Sequence, residues 1–297
     1  MQHQPALVDE APASVGIPVE HQWVSVNGVS LHVAIAGPAD GAPVLLLHGF
    51  PDAWFGWRHQ LRALAASGFR VFVPDQRGYN LSEKPGDVHA YAMDRLVGDV
   101  LGLVQHYGLS EWCLAGHDWG GAVAWSVAHA KPPGLRKMAI VNLPEPKVFL
   151  EHVRRPRQAM RSWYMVAFQL PGSTWWLSRR GAAAVERGVV GSARPGAFDG
   201  QLDDYRRAWT RPGAMDAMLA WYRAGFRGPQ PEVPEAKVAV PTLILWGEQD
   251  SYLGAEMIDP SAARCERVDV IRYPSATHWV LHEEPQATSS ALVRHFS

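Results

Sequence analysis

Short apolar runs alternate along the chain with longer stretches in which apolar residues recur every three or four positions. The longer stretches predict helices over 58–67, 93–107, 120–130 and 285–296, with Asp94 and Pro285 near two of the starts. The short runs predict eight strands, at 21–27, 30–36, Val44–Leu47, Val71–Val73, Trp112–Ala115, Met138–Val141, Thr242–Trp246 and Val268–Tyr273. Strands that alternate with helices indicate an α/β fold with a mostly parallel central sheet flanked by helices.

The ends and the middle of this sheet differ in pattern. Asn27-Gly28 separates the first two predicted strands and is a strong hairpin signal, so we expect the sheet to begin with an antiparallel pair. Several later runs are apolar on consecutive residues, as in strands that are covered on both faces. We therefore expect these later strands to lie at the centre of the sheet.

The pattern changes between residues 145 and 236. Strand-like runs vanish there, arginine, tryptophan and glycine become frequent, and Pro229, Pro231 and Pro234 predict a linker back to the sheet. This segment follows a strand that ends near Asn142, at the carboxyl edge where open α/β sheets bind their ligands. It is therefore predicted to be a helical cap, or lid, with an independent second domain as the alternative.

The resulting domain organisation has three parts. Residues 16–144 and 237–297 form the α/β core domain, residues 145–236 form the helical cap domain, and residues 1–15 form a flexible tail. The tail lacks the basic start and apolar run of a signal peptide, and no stretch approaches the ~18 apolar residues of a membrane-spanning helix.

Charge and cysteine content narrow the classes of partner. The 297 residues include 28 lysines and arginines against 29 aspartates and glutamates, so the overall charge gives no reason to expect nucleic acid or a membrane as partner. Only Cys113 and Cys265 occur, and an apolar setting for Cys113 indicates a buried, inert thiol. These features favour a cytoplasmic protein with a small, weakly charged substrate, either a monomer or a homodimer.

A possible nucleophile lies between a predicted strand and a predicted helix. Gly116-His117-Asp118-Trp119-Gly120-Gly121 has the form G-x-D-x-G, in which flanking glycines permit the strained turn that raises a nucleophile into the cleft. Serine hydrolases carry serine at this position. Here the carboxylate of Asp118 can attack a saturated carbon directly and form an ester with the enzyme.

The partners of such a nucleophile follow in the order that this fold requires. Asp250 comes after the strand Thr242–Trp246, and His278 comes after the strand Val268–Tyr273. His278 can take a proton from water while Asp250 holds its second ring nitrogen. The backbone N–H groups of Phe50 and Trp119 can form an oxyanion hole.

These motifs resemble those of the α/β-hydrolase-fold epoxide hydrolases. The resemblance extends from His48-Gly49-Phe50-Pro51, through Trp54, Trp57, Arg58 and Asp75-Gln76-Arg77-Gly78-Tyr79, to Gly116–Gly121, and it covers nearly the whole chain after residue 20. It implies an α/β-hydrolase fold in which an epoxide is opened to a vicinal diol through an aspartyl ester, and water activated by His278 hydrolyses that ester.

Two segments of the insertion also resemble this family. They are Ser162-Trp163-Tyr164, which precedes Phe168-Gln169-Leu170-Pro171-Gly172, and Trp221-Tyr222-Arg223. The resemblance implies that Tyr164 and Tyr222 hold the epoxide oxygen. Aromatic residues of the insertion and its surroundings predict an apolar or aromatic epoxide substrate, with Trp119, Trp163, Phe168 and Trp279 as candidate binding residues.

Three alternatives stay open. A haloalkane dehalogenase uses the same aspartate, acid and histidine, with Trp119 as a halide ligand, but Phe50 stands where those enzymes usually carry an amide. A ligand-binding protein without turnover would keep the fold alone. Glu145 could replace Asp250 as the acid partner. We assign no cofactor and no metal, because His278 and His282 have no third ligand at suitable spacing.

Overall fold

Eight strands form one sheet in the computed structural model, which describes residues 15–227 and 234–297. All eight predicted strands are confirmed, as β1 (Glu20–Val26), β2 (Val29–Ala36), β3 (Ala42–Leu47), β4 (Phe69–Pro74), β5 (Trp112–His117), β6 (Leu135–Val141), β7 (Thr242–Gly247) and β8 (Val268–Tyr273). Their order across the sheet is β1-β2-β4-β3-β5-β6-β7-β8. The fold is thus an α/β-hydrolase fold with a mostly parallel sheet.

The antiparallel start of the sheet is also confirmed. Strand β2 pairs antiparallel with both β1 and β4, whereas every later pair in the sheet is parallel. The hairpin turn places Asn27 and Gly28 at positive φ, as the sequence signal requires. The side chain of Asn27 donates to Asp99, which also pairs with Arg77 in a buried ion pair and so ties the hairpin to the helical layer.

Helices cover both faces of the sheet. The four predicted helices are confirmed as α1 (Arg58–Ala66), α2 (Met93–His106), α3 (Trp119–His129) and α12 (Pro285–Phe296). Residues of β3, β5 and β7 are almost entirely buried, so the centre of the sheet is apolar on both sides. Two short helices lie near the end of the chain. Helix α10 (Ile258–Ala262) lies between β7 and β8, and α11 (Val280–Glu283) follows β8.

The segment between β6 and β7 contains six helices joined by loops, within its described residues. It contains α4 (Pro146–His152), α5 (Pro156–Arg161), α6 (Trp163–Ala167), α7 (Ser173–Ser192), α8 (Leu202–Thr210) and α9 (Ala214–Arg227). Helix α7 is interrupted by non-helical backbone from Arg179 to Ala182. Pro229 and Pro231 of the predicted linker lie outside the described residues. Residues 1–14 of the predicted tail lie outside them as well, and Val15, the last residue of that tail, is buried.

Indole hydrogen bonds connect this helical segment to the loops of the sheet. Trp209 of α8 donates from its ring nitrogen to the carbonyl of Pro51 at 2.6 Å, and Trp221 of α9 donates to the carbonyl of Arg77 at 2.9 Å. Both acceptors follow strands at the carboxyl edge of the sheet. Helices α8 and α9 are therefore fixed directly against the edge that carries the candidate residues.

The burial of the two cysteines and the apolar character of the helices also bear on the predictions from the sequence. Cys113 and Cys265 are buried free thiols, and burial raises the pKa of each to about 11. Among the residues described, no helix has both the length and the apolar character needed to cross a membrane.

Candidate active site

Asp118 lies in a strained turn between β5 and α3. Its φ is +50°, which is unfavourable for a residue with a side chain and is maintained by tight packing around the turn. A Cβ atom at Gly116 would lie 2.2 Å from the carbonyl oxygen of Gly120, and one at Gly120 would lie 2.2 Å from that of Leu47. Only glycine fits at these two positions, so the motif lifts Asp118 above the strand ends.

The carboxylate of Asp118 contacts the loop after β3. Its Oδ1 accepts a hydrogen bond of 2.7 Å from the backbone N–H of Phe50, and it also accepts from the N–H of Trp119. A Cβ atom at Gly49 would lie 2.3 Å from the Cβ of Asp118, so glycine is needed there as well. Phe50 and Trp119 thus direct two donors at one carboxylate.

His278 lies between two carboxylates. Its Nδ1 is 2.7 Å from Oδ2 of Asp250, and its Nε2 is 3.6 Å from Oδ2 of Asp118. Asp250 also accepts from the side chain of Asn142 at 2.7 Å and from the backbone N–H groups of Tyr252 and Leu253. Asp250 therefore fixes the imidazole with Nε2 directed towards the nucleophile.

Opposing effects set the pKa values of this triad. Burial lowers the pKa of His278, but the carboxylates of Asp250, Asp118 and Glu283 together outweigh burial, and the net pKa is raised. Burial raises the pKa of Asp118, while His278 and the two N–H donors oppose this rise without cancelling it. For Asp250, His278 and Asn142 overcome burial and lower the pKa. The stable charge of the site is thus on Asp250.

Tyr164 and Tyr222 lie side by side above the nucleophile turn. Their ring centroids are 5.9 Å apart, and each ring also contacts Phe168. Burial, together with the charge of Asp118, raises the pKa of both hydroxyls well above the usual value. Both hydroxyls consequently stay protonated at neutral pH and are available as hydrogen-bond donors.

The aromatic residues predicted to bind substrate lie in different places. Phe168 packs on Phe50 and on the two tyrosines, and the ring of Trp119 packs on Tyr222. Trp163, in contrast, is 67% exposed. Helix α6 directs Tyr164 inward and the adjacent Trp163 outward, and a substrate-binding role for Trp163 stays a prediction.

Trp279 is buried, but its contacts differ from those of a substrate-binding residue. Its ring packs on His278 and Phe198, and its ring nitrogen donates to Ser192 of α7. All its polar capacity is used within the protein. The ring of Trp279 thus packs against the histidine, and its substrate-binding role stays a prediction.

Several contributors to the site were missed in the sequence. Asn142 bonds to Asp250 and accepts from the N–H of Gly247, so it joins the ends of β6 and β7. Tyr252 packs on both His278 and Tyr164. Asn142 has a positive φ directly after β6. The sequence carried no signal for this backbone conformation beyond the residue type.

A buried carboxylate also orients the histidine loop. Glu283 accepts hydrogen bonds from the backbone N–H and the hydroxyl of Thr277, the residue before His278, at 2.7 and 2.6 Å. The same carboxylate accepts from the N–H of Arg194, which follows α7. Glu283 therefore connects the helical segment to the loop that carries His278.

The other candidates for acid or metal chemistry have separate partners. Glu145 bonds to His129 at 2.9 Å and caps α4, so it does not contact His278. His282 bonds to Arg58 at 3.0 Å and lies 3.6 Å from Asp52. Asp250 is thus the acid partner of the histidine in this geometry.

Comparisons with known proteins agree with the geometry. Residues 42–285 match the model of a family described as alpha/beta hydrolase fold. The chain is 38% identical to AB hydrolase superfamily protein YfhM of Bacillus subtilis, over 93% of this chain and 98% of that protein. It is 32% identical to epoxide hydrolase 4 of Mus musculus, over 92% of this chain and 78% of that protein.

Solved structures give the same result. A crystal structure of Bacillus megaterium epoxide hydrolase in complex with an inhibitor matches with a TM-score of 0.85 and 30% identity, over 93% of this chain and 99% of that one. A second match, with a TM-score of 0.81 and 28% identity, is epoxide hydrolase A from Mycobacterium thermoresistibile, over 94% of this chain and 98% of that one.

Replacement of Asp250 tests the electrostatic account of the histidine. In Asp250→Asn, burial of His278 remains while the main charge that opposes it is lost, so the pKa of His278 should fall below that of the wild type. An NMR titration of the imidazole measures this shift. Glu248→Gln, at a more exposed carboxylate of the same turn, should leave the pKa unchanged. An unchanged pKa in Asp250→Asn would refute the account.

Proposed function

Because the chain belongs to the epoxide hydrolase family of the α/β-hydrolase fold, we propose that it hydrolyses an epoxide to a vicinal diol through a covalent ester on Asp118. One observation supports this chemistry most strongly. The carboxylate accepts from the N–H of Phe50, and the rings of Tyr222 and Tyr164 pack in one cluster with the ring of Phe50. A nucleophile and an acid thus flank one space.

The first proposed step is ring opening. Oδ2 of Asp118 attacks one carbon of the epoxide, a carbon–oxygen bond of the ester forms, and the ring carbon–oxygen bond breaks. The electron pair goes to the epoxide oxygen, which receives hydrogen bonds from Tyr164 and Tyr222 and then a proton from one of them, and that tyrosine becomes a tyrosinate. Ring strain contributes to the driving force, so the protein supplies mainly orientation and charge stabilisation.

Hydrolysis of the ester is the second step. Nε2 of His278 takes a proton from water, and the resulting hydroxide attacks the carbonyl carbon of the ester. The negative charge that develops on Oδ1 is stabilised by the N–H groups of Phe50 and Trp119. Asp250 stabilises the imidazolium, which gives its proton to the departing alkoxide of the diol. One oxygen of the water stays on Asp118, and the remaining water proton passes from the new carboxyl group to the tyrosinate, so that both groups return to their starting state.

We propose that the helical insertion, residues 145–236, acts as a cap over the candidate active site. It supplies both tyrosines and Phe168, and the indole bonds of Trp209 and Trp221 hold it against the sheet edge. The rings of Phe50, Phe168 and Trp119 favour an apolar or aromatic epoxide. The ring of Trp119 packs edge-on against the ring of Tyr222, with centroids 5.1 Å apart.

Trapping of the intermediate tests the role of His278. In His278→Gln the ring can open but the ester cannot be hydrolysed, so the protein should gain the mass of one epoxide molecule. Intact-protein mass spectrometry after incubation with styrene oxide measures this gain. His89→Gln, at an exposed histidine far from the site in sequence, should turn over normally without a gain. An unlabelled His278→Gln protein would exclude the proposed intermediate.

Removal of the two hydroxyls tests the acid. Tyr164→Phe combined with Tyr222→Phe should slow ring opening by about 10²–10⁴-fold, because the leaving oxygen loses its proton donors. Stopped-flow or single-turnover kinetics give this rate, and thermal unfolding checks that the variant is folded. Tyr252→Phe is the matched control, since that hydroxyl bonds to Ser192. Wild-type ring opening in the double variant would remove the tyrosines from the mechanism.

A further inference from the structure

Six large apolar side chains are exposed along one short part of the helical insertion. Their exposed fractions lie between 57% and 76%, and no other stretch of described residues has so many in so few positions. We call them the outer cap face, which consists of Met160, Trp163, Val166, Leu170, Trp175 and Trp176. Single exposed apolar residues are ordinary, but a cluster of this size indicates a binding surface.

The outer cap face is held in place next to the candidate active site. Helix α6 carries Trp163 and Val166 outward, while Tyr164 and Phe168 of the same turn face inward. Arg223 of α9 donates to the carbonyl of Phe168 and to the hydroxyls of the two residues that begin α7, Ser173 and Thr174. These bonds fix the corner between α6 and α7, so the exposed tryptophans belong to one ordered surface.

Positive charge predominates in the sequence that carries this face. Between Val153 and Arg180 the sequence contains six arginines and no aspartate or glutamate, at positions 154, 155, 157, 161, 179 and 180. Arg161 lies 3.7 Å from Glu256, and the guanidinium of Arg179 lies over the ring of Trp175. Within the described ranges, the other four have no carboxylate within 4 Å. The apolar face is therefore bordered by largely unneutralised positive charge.

We propose that the outer cap face docks onto the surface of an anionic lipid bilayer. Tryptophan side chains favour the region of the lipid headgroups, and arginines next to them are attracted to anionic lipids. A second copy of the chain fits this surface less well, because a two-fold contact through the face would bring both arginine clusters together.

This inference replaces the expectation that no membrane is a partner. That expectation came from the near-neutral overall charge, which averages the basic border of the cap with acidic residues elsewhere on the surface. The proposed docking is attachment to one leaflet of the bilayer, and it requires no spanning helix. Docking would place the α6 turn at the bilayer surface, where apolar epoxides concentrate; this last point alone depends on the proposed function.

Vesicle binding tests the proposal independently of catalysis. Wild-type protein should sediment with vesicles of phosphatidylcholine and phosphatidylglycerol in equal parts and bind pure phosphatidylcholine much more weakly. Trp175→Ser combined with Trp176→Ser should weaken binding by about tenfold or more. Arg157→Gln combined with Arg180→Gln should weaken it by about 30-fold at low salt. Hydrolysis of dissolved styrene oxide without vesicles should be unchanged in both variants.

Exposed arginines outside the cap provide a matched control for the arginine variant. Arg95→Gln combined with Arg136→Gln removes two exposed arginines of the core domain and should leave vesicle binding intact. Equal binding by all variants, or no binding of the wild type to the anionic vesicles, would overturn the proposal. A dimer in analytical ultracentrifugation that the tryptophan variant abolishes would also overturn it, in favour of a second copy as the occupant.

Discussion

Close backbone packing at the turn of Asp118 is the constraint on which the site depends. The turn brings β5, α3 and the loop after β3 so near to one another that side chains cannot be accommodated at Gly49, Gly116 or Gly120. The strained φ of Asp118 is the result of this packing, and the same packing places the N–H of Phe50 at 2.7 Å from the carboxylate. Strain in the backbone and stabilisation of the charge thus have one structural origin.

The remaining polar groups extend this arrangement across the sheet edge. Asn142 after β6, Asp250 after β7 and His278 after β8 are joined by two hydrogen bonds of 2.7 Å, and Nε2 of His278 then lies 3.6 Å from the nucleophile. Each residue comes from a different parallel strand, so correct strand order is required before the groups can meet. Glu283 and the indoles of Trp209 and Trp221 then relate the helical segment to the same edge. Asp250 and Glu283 are thus buried carboxylates that position His278 and its loop.

The sequence predicted all strands and the four helices that flank the sheet because these elements have clear periodicity. Asp118, Asp250 and His278 were identified from strand ends, where chain order alone indicates which groups share an edge. The helical segment was harder, since α6 has only five residues and its direction could not be derived from the pattern. Trp163 and Tyr164 are adjacent, and the sequence pattern did not show that α6 directs them to opposite sides. Asn142 was missed because its role depends on backbone geometry after β6.

The most direct measurement compares two substrates in one assay. Styrene oxide and a 1-haloalkane are incubated with the wild type and with Asp118→Asn, and the release of diol and of halide is followed. The account predicts diol without halide from the wild type and neither product from the variant. Halide release by the wild type, or diol formation that persists in Asp118→Asn, would contradict it.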